Sequence, residues 1–230
     1  MITIHGDCRE VLPLLSSESV DAVITDPPYG INYVPRRAQG VRDHPWRRMQ
    51  GDRHFDIELY RLWLREAYRL LKPDRHLYVF CADYHLGTLR DLVAEAGFNL
   101  KRTLVWEKNA WGLGDCKGDW GHQTEFIVFA HKGRRELARP RQGNVLHFPR
   151  VPAQRLRHPT EKPVELLRLL IRKSLPEGGL VLDPFAGSGS TGEAAELEGR
   201  GAVLIEVDVR HVQRAQEYLQ HPADKRARAA

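Results

Sequence analysis

Short apolar runs alternate along the chain with longer stretches whose apolar positions recur every three or four residues. Met1 to His5 alternates and reads as a strand, and Arg9 to Leu15 fits a short helix before a serine-rich turn. Val20 to Thr25 reads as a buried strand that ends in Asp26-Pro27-Pro28-Tyr29. From Ile57 to Leu71 the residues Ile57, Tyr60, Leu64, Ala67, Leu70 and Leu71 keep helical spacing, and Lys72-Pro73-Asp74 is expected to close that helix. A strand at Leu77–Cys81, a helix at Leu86–Ala96 ended by Gly97, and strands at Leu100–Trp106 and Glu125–Ala130 follow. The C-terminal third predicts a helix at Pro163–Ser174, a strand at Leu180–Asp183 and a helix at Ser190–Leu197. A strand at Ala202–Glu206 and a helix at Arg210–Leu219 complete it.

Strands alternating with helices imply an α/β fold, a doubly wound, mainly parallel sheet with a ligand crevice at the strands' carboxyl ends. The expectation is one domain over 1–220, a loop-rich polar segment at 133–157 on one edge, and a basic, frayed tail at 221–230. The 230 residues are 42% hydrophobic, enough for a substantial core, and no apolar run approaches a membrane span. The start of the chain lacks the pattern of a secretory signal, and Cys8, Cys81 and Cys116 are odd in number and widely spaced. A cytoplasmic protein in a reducing compartment is expected. The histidines show no metal spacing, so no metal is expected.

The net charge of +5 is unevenly placed. Six arginines face three aspartates between Ile31 and Asp56, and eight basic residues face Glu136 alone between Lys132 and Arg157. Two basic loop segments are the footprint of a polyanion partner.

Gly187, Gly189 and Gly192 satisfy G-x-G-x-x-G between a strand and a helix, and Glu206 ends the next strand. This is a nucleotide-binding arrangement with an acid for ribose hydroxyls. A nicotinamide dinucleotide would set its pyrophosphate on the helix N-terminus. Asp183, however, puts a carboxylate beside the glycines, which suits a cationic, phosphate-free nucleoside such as S-adenosyl-L-methionine.

D-P-F-A-G-S-G-S-T-G and T-D-P-P-Y-G resemble the cofactor and catalytic motifs of S-adenosylmethionine-dependent DNA amino-methyltransferases. H-P-T-E-K-P, I-H-G-D-C-R-E-V-L and V-L-I-E-V-D are similar to further elements of that family. The catalytic motif precedes the cofactor motif, the order of the circularly permuted β class. The resemblance implies a seven-stranded Rossmann-like methyltransferase sheet entered at its third strand. It also implies a cofactor site of Asp7, Cys8, Asp26, Lys162, Asp183, Phe185, Ala186, Gly187, Ser188, Gly189, Ser190, Thr191, Glu206 and Val207. Within it Glu206 would hold the ribose, Asp7 would lie near the adenine, and Lys162 would border the methionine end.

An exocyclic base amine is a poor nucleophile, because its lone pair is delocalised into the ring. Asp26 is expected to accept one amine N–H, and a carbonyl of Pro27 or Pro28, neither of which carries an N–H, to accept the second. Tyr29 offers a face for stacking a base flipped from the duplex. Asp before Pro-Pro-Tyr resembles adenine-N6 enzymes, with cytosine N4 left open.

Double-stranded DNA is the expected partner, gripped by Arg36, Arg37, Arg47 and Arg48 and by Arg134, Arg135, Arg139 and Arg141. The segment 133–157 would serve target recognition. Trp111 and Trp120 are expected to pack in the core or at its rim, with wedging into DNA as the alternative. A homodimer and a cognate restriction endonuclease are further implied partners. A nicotinamide-dependent oxidoreductase and a non-catalytic DNA-binding protein stay open as rival classes.

Overall fold

The computed structural model describes residues 1–30, 54–112, 117–152, 154–156 and 161–220, with 214, 215 and 217–220 described in backbone only. One nine-stranded sheet holds them together. Its strands are β1 (Ile2–His5), β2 (Val20–Thr25), β3 (Leu71–Cys81), β4 (Asn99–Leu100), β5 (Leu104–Glu107), β6 (Thr124–Lys132), β7 (Val145–His147), β8 (Leu180–Asp183) and β9 (Gly201–Glu206). The helices are α1 (Cys8–Val11), α2 (Ile57–Leu70), α3 (Leu86–Glu95), α4 (Val164–Ser174), α5 (Ser190–Leu197) and α6 (Val209–Gln220). The spatial order is β1-β9-β8-β2-β3-β6-β5-β7, with β4 beside β6. The expected seven strands are there, and the two-residue β4 and three-residue β7 extend them. All neighbours are parallel except around β6, which runs antiparallel to β3, β4 and β5.

Alternation along each strand feeds two apolar layers. Val23, Leu77, Val79 and Val128 bury on one face beneath Tyr60, Trp63, Leu64 and Ala67 of α2 and Leu89 of α3. Ala22, Ile24, Tyr78, Phe80 and Ile127 bury on the other, beneath Leu166, Leu170 and Ile171 of α4 and Ala194 of α5. Asp56 caps α2, accepting from the Leu59 N–H at 3.0 Å.

The helix expected at Arg9–Leu15 is α1 followed by a 3-10 turn at Leu12–Leu14, and two further boundaries differ from the periodicity for a local reason. Lys72-Pro73-Asp74 does end α2, but the chain goes directly into β3. Leu71 already pairs with Val20, and a register shift before Ala22↔His76 absorbs the turn, with Asp74 at φ 55°. Leu100–Trp106 is split, because β4 and β5 pair separate stretches of β6.

The placement of β8 beside β2 decides where a ligand can bind. From β8 the chain winds through α5 to β9, and from β2 through α2 to β3, on the opposite side. The order reverses there, which opens a crevice at the carboxyl ends of these two strands. No helix among the described residues is long and apolar enough to cross a membrane.

Candidate active site at the junction of β2 and β8

The glycine loop leaves β8 at Asp183 and enters α5. Gly187 and Gly189 take φ 50° and 80°, conformations that side chains resist, and Gly189 caps α5. Gly192 serves packing, since a methyl there would lie 2.6 Å from Leu204 Cδ1 on β9. The Asp183 carboxylate accepts from Thr25 Oγ1 at 2.7 Å, Thr191 Oγ1 at 2.6 Å and the Phe185 N–H at 3.1 Å. Burial pushes its pKa up to about 6 in spite of these bonds. The Ser188 and Ser190 hydroxyls bond each other at 2.7 Å, and the Phe185 ring meets Trp63 edge-on. Ala186 is buried at the loop's base, donating to the Ile205 carbonyl.

Glu206 ends β9 beside this loop and accepts from the Gly187 N–H at 2.7 Å and the Asp208 N–H at 2.9 Å. Burial pushes its carboxyl up, but His211 and these N–H donors outweigh it and hold the pKa below the usual range. The neighbouring strand β1 brings up Asp7, because Gly6 N–H donates to the Glu206 carbonyl at 3.0 Å. Asp7 caps α1, accepts from Arg9 N–H at 2.9 Å and pairs with the Arg9 guanidinium, which lowers its pKa. Cys8 is buried, and burial pushes its thiol up to about 12. Val207, just past Glu206, is exposed.

The catalytic candidate follows β2 directly. Asp26 Oδ1 accepts from Tyr29 OH at 2.5 Å, and Oδ2 accepts from Lys162 Nζ at 2.6 Å. Lys162, buried before α4, also lies 3.1 Å from Glu125 Oε2, and Glu125 Oε1 is 2.7 Å from Lys108. Burial raises the Asp26 pKa and Glu125 adds to this, while Lys162 and Tyr29 oppose both. The Pro28 carbonyl accepts from Tyr60 OH at 3.1 Å. Gly30 turns the loop at φ 73° against the backbone of His54 and Phe55.

Asp26, Lys162, Asp183, Phe185, Ala186, Gly187, Ser188, Ser190 and Thr191 therefore line one cleft, joined by Thr25, Phe80 and Glu161. Among the described residues its lining is acidic near the glycines, and the lining cation Lys162 faces Asp26 and Glu125. That chemistry fits a cationic nucleoside with a ribose diol and disfavours a pyrophosphate. Glu125, Lys108 and Tyr60 were not anticipated. Glu125 reads in sequence only as the start of a strand, and the antiparallel register of β6 carries it back to the edge that holds Asp26.

The basic residues divide differently. Arg36, Arg37, Arg47 and Arg48 lie outside the described residues. Arg134, Arg135, Arg139 and Arg141 follow β6, whose Lys132 pairs with Arg75 at the amino edge of the sheet, about 25 Å of strand from Glu125. Lys173 at the end of α4 holds the Ala138 carbonyl at 3.0 Å there, and His76 meets the Arg135 carbonyl at 3.2 Å. The chain then returns along β7, parallel to β5, and Arg150 N–H meets Asn109 Oδ1 at 3.2 Å near the catalytic edge. Trp111 and Trp120 sit on the β5–β6 connection at that edge, 64% and 93% exposed, and so do not pack in the core.

A family model for DNA methylases matches residues 20–151 and 138–217. The chain belongs to this DNA methylase family. Among curated relatives, the methylase is 28% identical to the DNA adenine methyltransferase YhdJ of Escherichia coli (strain K12), over 91% of this chain and 79% of that protein. The fold is shared with the M1.HpyAVI–SAM complex, at TM-score 0.74 and 24% identity over 96% of this chain and 99% of that one. It is equally shared with the cytosine-N4-specific PvuII DNA methyltransferase, at TM-score 0.75 and 19% identity over 93% and 84%. No His, Cys, Asp and Glu group suited to a metal ion occurs among the described residues of the methylase.

Proposed function

We propose that the methylase moves the methyl group of S-adenosyl-L-methionine to the N6 amine of adenine in duplex DNA. One observation carries this reading: Asp26, on a Pro-Pro-Tyr loop, is fixed beside the glycine-loop cleft by the Thr25–Asp183 hydrogen bond. When bound, the cofactor supplies an electrophilic methyl on a sulfonium. Glu206 would hold its ribose hydroxyls, and Asp183, Ser188, Ser190 and Thr191 would border its methionine end. Asp26 and the Pro27 carbonyl accept the two N–H hydrogens of the amine, which draws the nitrogen lone pair out of the ring. Tyr29, hydrogen-bonded to Asp26, keeps the carboxylate oriented and presents its ring to the base.

The duplex would lie across the carboxyl edge, meeting Arg150, Trp111 and Trp120, with the base flipped into the cleft. The similarity to a DNA adenine methyltransferase and the Asp of Asp-Pro-Pro-Tyr both support adenine. A homodimer and a cognate endonuclease belong to the same reading. The deciding experiment incubates the protein with labelled S-adenosylmethionine and duplex DNA, digests the product and identifies the nucleoside by mass spectrometry. N6-methyladenine is expected. N4-methylcytosine would overturn the choice of base, and no transfer would overturn the reading.

A further inference from the structure

Lys162 stands between two carboxylates. Its ammonium is 2.6 Å from Asp26 Oδ2 and 3.1 Å from Glu125 Oε2, and its side chain is 6% exposed. Tyr29 occupies Asp26 Oδ1, so in the protein without substrate both oxygens of the catalytic carboxylate already have donors. A carboxylate oxygen can accept twice. An ammonium at 2.6 Å, however, draws off the charge that would make Asp26 a strong acceptor for an amine. Oδ2 must be relieved before the amine binds well.

Where the ammonium goes is restricted by burial, because a buried carboxylate stripped of its cation is costly. Glu125 offers a second seat within the same cluster. It is held in place from behind by Lys108 at 2.7 Å, and the rings of Phe80 and Tyr29 flank the ammonium at 5.3 and 5.6 Å. Among the described residues, two carboxylates and two ammonium groups face one another here, whichever acid Lys162 favours. The ammonium needs to move by only about the difference between one hydrogen bond and the next.

We propose that Glu125 is a positioning residue that takes over the Lys162 ammonium when the substrate amine enters, releasing Asp26 Oδ2 to accept an amine N–H. Lys162 stays protonated throughout, and no bond other than hydrogen bonds is made or broken in this exchange. The inference rests on the amine-methylating reading above, and it needs an exocyclic amine rather than adenine in particular.

The test uses the full chain and two readouts, after the modified position in DNA has been mapped. In Glu125→Gln, kcat is expected to fall roughly a hundred-fold while KM for DNA changes less than about three-fold. The second readout is binding by the cofactor-free protein to duplexes carrying adenine or purine, which lacks the amine, at the target position. The wild type should prefer adenine. Glu125→Gln should lose that preference because Lys162 stays on Asp26, and Glu125→Asp should regain part of both effects. Unchanged kcat in Glu125→Gln overturns the proposal, as does a fall in kcat with the adenine preference intact. Should Glu125→Gln not fold, Lys108→Met loosens the same carboxylate, and no change there in either readout would overturn the proposal. The wild-type product is scored separately: if it is N4-methylcytosine, the adenine reading fails. The same variants are then judged on kcat and on cytosine against its amine-free analogue.

Discussion

Thr25 and Asp183, separated by 158 positions in the chain, are joined by a 2.7 Å hydrogen bond at the carboxyl ends of adjacent strands. The bond sets the residue before the catalytic carboxylate against the residue that opens the glycine loop. Thr25→Val keeps the shape and removes the donor. The expected loss is about 1–3 kcal/mol of unfolding free energy, the usual cost of depriving a buried acceptor. Weaker S-adenosylmethionine binding should accompany it. Denaturant unfolding and calorimetric titration check the two effects.

Asp183 also makes a prediction about pH. Its carboxyl sits at about 6 in the folded chain against an ordinary 3.8. Between those values the folded protein holds a proton that the unfolded chain has released. Its contribution to stability is therefore fully present below 3.8 and lost as pH rises through 6, about 3 kcal/mol in all. The stability difference between wild type and Asp183→Asn, followed over this range, should fall with rising pH. Affinity for the cationic cofactor should run the other way in the wild type, improving as Asp183 ionises, and should lose that dependence in Asp183→Asn.

Asp26→Ala removes the principal acceptor without touching the glycine loop. Methyl transfer should drop by about a hundred- to a thousand-fold, with a much smaller loss of cofactor affinity. Filter-based transfer assays and equilibrium binding separate these; near-normal turnover would remove Asp26 from the mechanism.

At Gly30 a methyl group would stand 2.0 Å from the Phe55 nitrogen, and the residue has φ 73°. Gly30→Ala must shift the catalytic loop. Turnover should fall and the melting temperature should drop by several degrees, roughly what 1–3 kcal/mol of backbone strain produces. Glu206 and the glycine loop lie on other strands, so cofactor binding should survive, as a thermal-shift titration would show.

Trp120 makes little contact with the rest of the protein, being 93% exposed. Trp120→Ala should leave the melting temperature unchanged and weaken DNA binding by about 1–3 kcal/mol if the ring stacks on bases. The slope of affinity against salt should stay the same, since no charge is removed. Fluorescence anisotropy over a salt series measures both.

Much of this site is legible in the chain itself. Thr25-Asp26-Pro27-Pro28-Tyr29-Gly30 announces a strand end stiffened by prolines, and Asp183 to Gly192 announces a strand, a close turn and a helix start. Both rest on local rules of backbone geometry. Glu125 and Tyr60 were hidden because nothing local marks them: each reaches the site through a strand register or a helix packing that is set far away. The placement of the arginines of 134–141 was not legible for a similar reason. Charge can be counted along a sequence, but β6 carries these residues to the opposite edge of the sheet, whereas Arg150 comes back.

β1 pairs with β9, Ile2 opposite Val203 and His5 opposite Glu206, so each strand waits for a partner nearly the whole described chain away. During synthesis Asp26 emerges long before the glycine loop that begins at Asp183. Closing a pairing across nearly the whole chain carries a large entropy cost before any contact rewards it, which slows folding. With β2 early and β8 late in the chain, Asp26 and the glycine loop come together only once the distant β2–β8 pairing has formed.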